Sequence, residues 1–511
     1  MPLGFAAGGL SLSSVLVRCK LLVHRKGDDM TTTDEKVGVH PHPQRWAVLG
    51  VLCLSVMVVV LDNTVLNVAI PSISTGLGAS TADIQWMINA YSLVLAGLLL
   101  TTGALSDRFG RKRSLLGGLL LFGAGSAVAA YAGSSEALIA ARGFMGLGAA
   151  FLMPGTLAVL MQLFDEKERP KAIGIWAAVT SLGFAAGPVI GGFLINHFWW
   201  GSVFLINVPV AIAAIAAVAL LVPESKDPTV RKPDVLGSVL STIGMVALVW
   251  SVISIPEHGW GSVRVLTSLG IGVVAMTAFA LWERRTPEPM LDLGFFKDRR
   301  FTGAVASGVL ASFGMGGSLF LLTQHLQGVL GYTPLEAGIR VAPMAIALLV
   351  TSNVLGPITM KLGAGRAMLL GMTIVSGGVV LLAYGGSYGP TLAGLILIGV
   401  GVGIAQPVAV NALMGSIPPE RAGIASGLSG TLTELGNSFG IAVLGALLSA
   451  RFAASLPDGV PSRSLTGALH SGADITVVRE AFAGGMTTSL LIGALAVFLG
   501  GVVSSVLLRR A

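Results

Sequence analysis

Three ionisable residues stand in stretches that are otherwise almost wholly apolar. They are Asp62 in VMVVVLDNTVLNVAIP, Arg142 in ALIAARGFMGLGAAF and Glu434 in SGTLTELGNSFGIAVLG. Burying such a group in hydrocarbon costs several kcal/mol unless it faces a cavity or a partner, so each marks a candidate site. The chemistry open to them is proton exchange. Burial makes a carboxylate easier to protonate near neutral pH. The same group can hold a lipophilic cation, but not a proton and a cation at once. Competition for one carboxylate therefore suffices for exchange. Asp62 is followed by Asn63, Thr64 and Asn67. A step of one helical turn, i to i+4 or i+5, is expected to place Asp62 and Asn67 on nearly one side. Two readings of Asp62 stand: a member of an interhelical hydrogen bond or salt bridge, or a proton-binding cavity residue. Glu336 and Arg340 lie nearer an edge.

The elements that must position these groups follow from composition. The chain is 53% hydrophobic and only 11% charged, with a mean hydropathy of +0.83. Soluble domains carry about a quarter charged residues, so a soluble enzyme is excluded and an all-α polytopic membrane protein is expected. Its 69 glycines suit close helix–helix packing in lipid. Cys19 and Cys53 provide neither a disulfide framework nor a metal site. The net charge of +7 reports basic loops meeting the bilayer surface, not nucleic-acid binding. No GxxxxGK[ST] loop is present, so neither a nucleotide nor another cofactor is expected. Gly427-Leu-Ser429-Gly430 matches a serine-protease GxSG, but no histidine lies in a plausible partner helix, and no catalytic residue is assigned.

A membrane helix needs about 20 mainly apolar residues. Fourteen such runs occur, the first near 46–70 and the last near 485–508. Alternate loops are rich and poor in lysine and arginine throughout, which places both termini in the cytoplasm of a cell whose inner membrane the chain spans many times. The stretch 451–484 reads as an outer surface loop. Residues 1–45 read as a cytoplasmic tail, of which 1–29 precede a second methionine, Met30, that reads as the true start.

An internal repeat is visible. TSLGFAAGPVIGG (180–192) lies over TELGNSFGIAVLG (433–445) without a gap, and each follows a Glu-Arg pair, Glu168-Arg169 or Glu420-Arg421. GALSDRFGRKR (103–113) is echoed by GPITMKLGAGR (356–366). Paired halves are common in secondary transporters. The division expected is a six-helix bundle over 46–222, an inserted pair and connector over 223–300, and a second bundle over 301–511. Glu434 replaces Ser181 in this alignment, so the acid is not something the glycine scaffold requires.

Two motifs carry the strongest signals. In GALSDRFGRKR, Gly103 permits a tight helix end, and Asp107 can face a neighbouring helix N-terminus. Arg108 and, beyond Gly110, the run Arg111, Lys112 and Arg113 meet anionic headgroups. In GFAAGPVIGG, Gly183, Gly187 and Gly191 recur every four residues to give one flat face, with Pro188 as a kink and Gly192 beside it. The first stretch closely resembles the signature loop of the major facilitator superfamily. With LDNTVLNVAIP (61–71), FLINVPV (204–210) and QHLQGVLGYTPLEAG (324–338), the chain resembles the fourteen-helix drug:proton antiporters over 45–508.

That resemblance implies a 6+2+6 fold and export of a small-molecule drug, lipophilic and cationic, in exchange for protons by a monomer in the lipid bilayer. It also implies a cytoplasmic latch at Asp107 and Arg108, an antiport seal at Gly183, Gly187, Pro188 and Gly191, and proton relay by Arg142. One departure is present. Where the family has Arg-x-x-Gln-Gly, this chain has Arg142-Gly-Phe-Met145-Gly146, so the polar partner is missing. The alternatives are dedicated export of a self-made antibiotic and, more remotely, a non-transporting membrane sensor.

Overall fold

Fourteen helices long and apolar enough to cross a membrane follow one another, with no strand among the described residues. The computed structural model describes residues 44–165, 167–226, 233–355, 361–417 and 422–509. The expected tail up to residue 43, the choice between Met1 and Met30, the Glu420-Arg421 pair and residues 356–360 of the second loop echo lie outside them. The first seven helices are α1 Arg45–Leu77, α2 Thr81–Phe109, α3 Arg111–Ala130, α4 Ser135–Leu163, α5 Arg169–His197, α6 Ser202–Leu221 and α7 Val235–His258. The rest are α8 Val263–Arg285, α9 Arg299–Gln324, α10 Pro334–Val350, α11 Ala364–Ala383, α12 Tyr388–Ser416, α13 Ala422–Ser455 and α14 Ile475–Arg509.

Local chemistry sets the ends. Ser80 and Asp83 form a reciprocal capping box on α2, and Thr333 and Glu336 form another on α10, behind Pro334. These satisfy amide groups that a helix start leaves unpaired. Glu336 is thus a capping residue. The helix break in GALSDRFGRKR falls at Gly110 rather than Gly103. Gly110 has φ +119°, a backbone region other residues avoid, whereas Gly103 continues inside α2. The stretch 451–484 is also less open than expected. Helix α13 runs on through ARFAAS to Ser455, α14 starts at Ile475, and a short helix, Leu465–Leu469, lies between them.

The packing repeats as the sequence does. Helix α5 packs on α1 as α13 packs on α9, and α5 meets α10 as α13 meets α2. The matched glycines do matching work. Gly183 lies over Val60 and Met57 of α1, and its counterpart Gly436 lies over Val309 and Ser312 of α9. Gly187 leaves no room for a Cβ against Thr64, and Gly440 none against Phe313. Gly191 is pressed on Val65, while Gly192 touches Pro334 and Leu335 of α10, and its counterpart Gly445 touches Gln85 of α2. Pro188 sits within an unbroken α5, its carbonyl against Gly338 of α10.

Helix α7 lies along the seam between α2 and α13. Its Met245, Val249 and Ile253 form one apolar cluster with Leu93 of α2 and Ala442 of α13. A hydroxyl–hydroxyl bond joins Thr101 of α2 to Ser238 of α7. Helix α8 packs on α7, and the connector to α9 is fastened there. Asp234 accepts from the amide of Gly237 at 2.8 Å and from the Trp282 indole at 2.9 Å, and Glu283 accepts from the Leu291 amide at 3.1 Å.

Candidate functional site

Between the two repeated sets of helices lies a cavity of about 380 Å³, walled by α1, α2, α4, α5, α9, α10, α12 and α13. That volume suits a drug-sized molecule. The wall is mostly apolar, with polar groups at Asn63, Asn67, Ser181, Gln406, Asn437 and Glu434. Glu434 is the one carboxylate on it among the described residues. One of its oxygens, Oε2, is buried without a hydrogen-bond partner, which leaves it available to a proton or a cation. Ser181, its counterpart in the repeat, faces the same cavity from α5.

Asp62 is elsewhere. It is 2% exposed, Arg142 is 0% exposed, and the two form an ion pair between α1 and α4. The second carboxylate oxygen of Asp62 accepts from Asn207 of α6 at 2.9 Å. The Arg142 Nε donates to the carbonyl of Met87 at 3.0 Å, and its guanidinium stacks 4.3 Å from the centroid of the Tyr91 ring. Its Nη2 has no hydrogen-bond partner among the described residues. A buried charge pair of this kind holds only when both members stay hydrogen-bonded.

Asp62 and Asn67 therefore do not share a face. Asn67 lines the cavity while Asp62 points into the bundle behind it. Five residues turn a helix by about 500°, which leaves the two about 140° apart. Tyr91, on whose ring Arg142 stacks, lies within electrostatic reach of Asp62, Arg142 and Glu434. Asn207 and Tyr91 were not singled out from sequence. Asn207 lies in the quoted FLINVPV as a lone amide in an apolar run, which is the signal that was available.

The two motifs are placed as follows. Asp107 at the end of α2 accepts from Arg111 at the start of α3 at 2.6 Å, across the break at Gly110, and Arg108 lies over the exposed Phe109 ring. Glu224, after α6, receives the Lys112 amide at 3.3 Å and Arg113 at 3.4 Å, and it closes over Gly110. Arg45 reaches Glu168 through two bonds, at 2.6 and 2.9 Å, and this guanidinium holds the Glu168 carboxyl below the usual carboxylate range. Among the described residues no group of three or more potential metal ligands is found.

Comparison with known proteins agrees with the fold. The model of the Major Facilitator Superfamily matches residues 52–441. The chain is 34% identical to the multidrug efflux pump LfrA of Mycolicibacterium smegmatis, over 91% of this chain and 96% of that one. It is 35% identical to the tetracenomycin C resistance and export protein of Streptomyces glaucescens, over 84% and 81%. It is also 35% identical to the methyl viologen resistance protein SmvA of Salmonella typhimurium, over 84% and 88%. In fold it is similar to the crystal structure of a bacterial homologue of the human lysosomal transporter Spinster, inward-facing and unoccupied. There the TM-score is 0.66 at 17% identity, covering 92% of this chain and 98% of that one.

Proposed function

The chain belongs to the major facilitator superfamily, and from that premise we propose that it is a multidrug efflux transporter exchanging protons for lipophilic cations. The observation that carries the mechanism is Glu434, the carboxylate on the wall of the central cavity, with one oxygen unpartnered. Proton and cation compete for it. When Glu434 is ionised it attracts the cation, and protonation removes that attraction and releases it. The apolar wall binds a range of lipophilic molecules because it makes few directional demands.

Asp62 and Arg142 act behind the cavity. Their pair fixes α1 against α4 and, through Tyr91, sets the electrostatic environment of Glu434. Arg142 is in this reading a positioning residue, and Asn67 a polar contact for substrate. The division into 46–222, 223–300 and 301–511 is supported by the repeated packing of α1–α5 and α9–α13. The basic loops, with Asp107, Arg108 and Arg111 among them, mark the cytoplasmic end, which puts the described C-terminus at Arg509 on that side. The glycines of α5 serve as the seal of the closed pathway, and one copy of the chain holds a whole cavity, so a monomer suffices.

The test is export from a pump-deficient host. A fluorescent lipophilic cation is expected to leave cells expressing the chain, and a protonophore is expected to stop it. Efflux that survives collapse of the proton gradient would remove proton exchange. A second reading, dedicated export of one antibiotic, draws on the likeness to the tetracenomycin C exporter. It predicts protection against one compound and none against unrelated cations.

A further inference from the structure

The seam between α2 and α13 carries a line of polar side chains that the cavity chemistry leaves unused. Gln85 donates to the carbonyl of Ile441 at 2.6 Å, and Thr431 donates to the carbonyl of Ala96 at 3.1 Å. Eleven residues forward along α2 thus match ten back along α13, so the helices run antiparallel and nearly residue for residue. Asn89, four residues on from Gln85, falls opposite Ser438, three back from Ile441. Ser92 then falls opposite Glu434, and both line the central cavity. Gln85, Asn89, Ser92 and Ala96 form one stripe of α2, as Thr431, Glu434, Ser438 and Ile441 do on α13.

Asn89 and Ser438 are both 0% exposed. Both amide atoms of Asn89 and the hydroxyl of Ser438 lack any protein hydrogen-bond partner. Buried amides and hydroxyls are almost always satisfied, and those without a protein partner are satisfied by water. At the end away from the basic loops, a small cavity of about 20 Å³ reaches Thr81 and Ile84, beside Gln85. That space is about one water wide.

We propose that bridging water held by Gln85, Asn89, Ser438 and Ser92 forms a proton route from the outer end of the α2–α13 seam to Glu434. The route rests on the exchange reading above and adds to it a path for protons that meets the drug cavity only at Ser92 and Glu434. A proton arriving as hydronium at one end moves along the hydrogen bonds, and the last water passes a proton to the carboxylate. Glu434 becomes a neutral carboxyl and the water is restored.

The test uses the whole chain in proteoliposomes, with tetraphenylphosphonium as the cation and a pH-sensitive dye inside. Asn89→Leu keeps the side-chain bulk but removes the water's partners. It is expected to leave alkaline tetraphenylphosphonium binding within about two-fold of wild type. Cation-driven proton flux should fall by about ten-fold or more. Asn89→Ser, which keeps a polar group, should recover most of the flux. Asn89→Leu with wild-type flux overturns the route. If Asn89→Leu loses cation binding altogether, Ser438→Ala takes its place, and unchanged flux in that variant overturns the route equally. Wild-type liposomes that move the cation without protons would instead remove the exchange reading itself. Radiolytic hydroxyl labelling decides the seam without any transport assay: labelling around Asn89 and Ser438 supports the route, and an unlabelled seam sinks it.

Discussion

Arg142 of α4 pairs with Asp62 of α1 where neither side chain has meaningful access to solvent or to the cavity. Removing one member leaves the other charged and unpaired in a dry interior. Asp62→Asn is therefore expected to cost about 3–5 kcal/mol of stability, seen as a large fall in the thermal midpoint of the detergent-purified protein. Changing both, Asp62→Leu with Arg142→Met, should restore most of that stability while transport stays impaired. A wild-type midpoint for Asp62→Asn alone would show that the pair is not what holds α1 to α4.

Glu434 and Ser181 occupy equivalent places in the repeat and face one cavity, so they form a matched comparison. Glu434→Gln keeps shape and removes charge. Cation efflux from the pump-deficient host should fall by about ten-fold or more, a loss of about 1.4 kcal/mol or greater. Ser181→Ala should change it little. Equal losses from both would return Glu434 to a packing role.

The glycines of α5 can be separated in the same way. Gly187 has no space for a Cβ against Thr64, whereas Gly174, on the same helix, has nothing within 4 Å. Gly187→Leu is expected to lose about 1–3 kcal/mol through overpacking, with a matching drop in yield of folded protein on size exclusion. Gly174→Ala should be neutral or stabilising, since alanine favours a helix. Tolerance of leucine at 187 would mean that α1 and α5 do not need their close approach.

These variants also trace how far the sequence could be read. Asp62, Arg142 and Glu434 were legible because a charge in an apolar run is expensive wherever it falls. The fourteen helices were legible for the same reason turned round, since length and hydropathy alone dictate a span. Helix rotation was not. Whether Asp62 faces the cavity or the bundle depends on which side of α1 meets α4, and VMVVVLDNTVLNVAIP carries polar residues on both sides, Asp62 on one and Asn63, Thr64 and Asn67 on the other. Asn207 and Tyr91 were hidden because each looks ordinary until its partner is placed. The position of α7 against both α2 and α13 was equally hidden, because its apolar residues run all round it.

That position of α7 has a mechanical consequence. One flank of the molecule, α2 with α13, is splinted by a third helix that grips both members through Leu93 and Ala442. The opposite flank, α5 with α10, has no such splint among the described residues, and its contacts are backbone against glycine, as at Gly192 and Gly338. If the two bundles swing, the prediction is that they swing as a door does, with the jamb along α2 and α13 and the free edge along α5 and α10. Paired spin labels would report it as a wide change of distance between α5 and α10 and a narrow one between α2 and α13. Equal changes on the two flanks would rule it out. On this view α7 decides which flank of the protein opens, and a polar line placed along the jamb stays assembled through the swing.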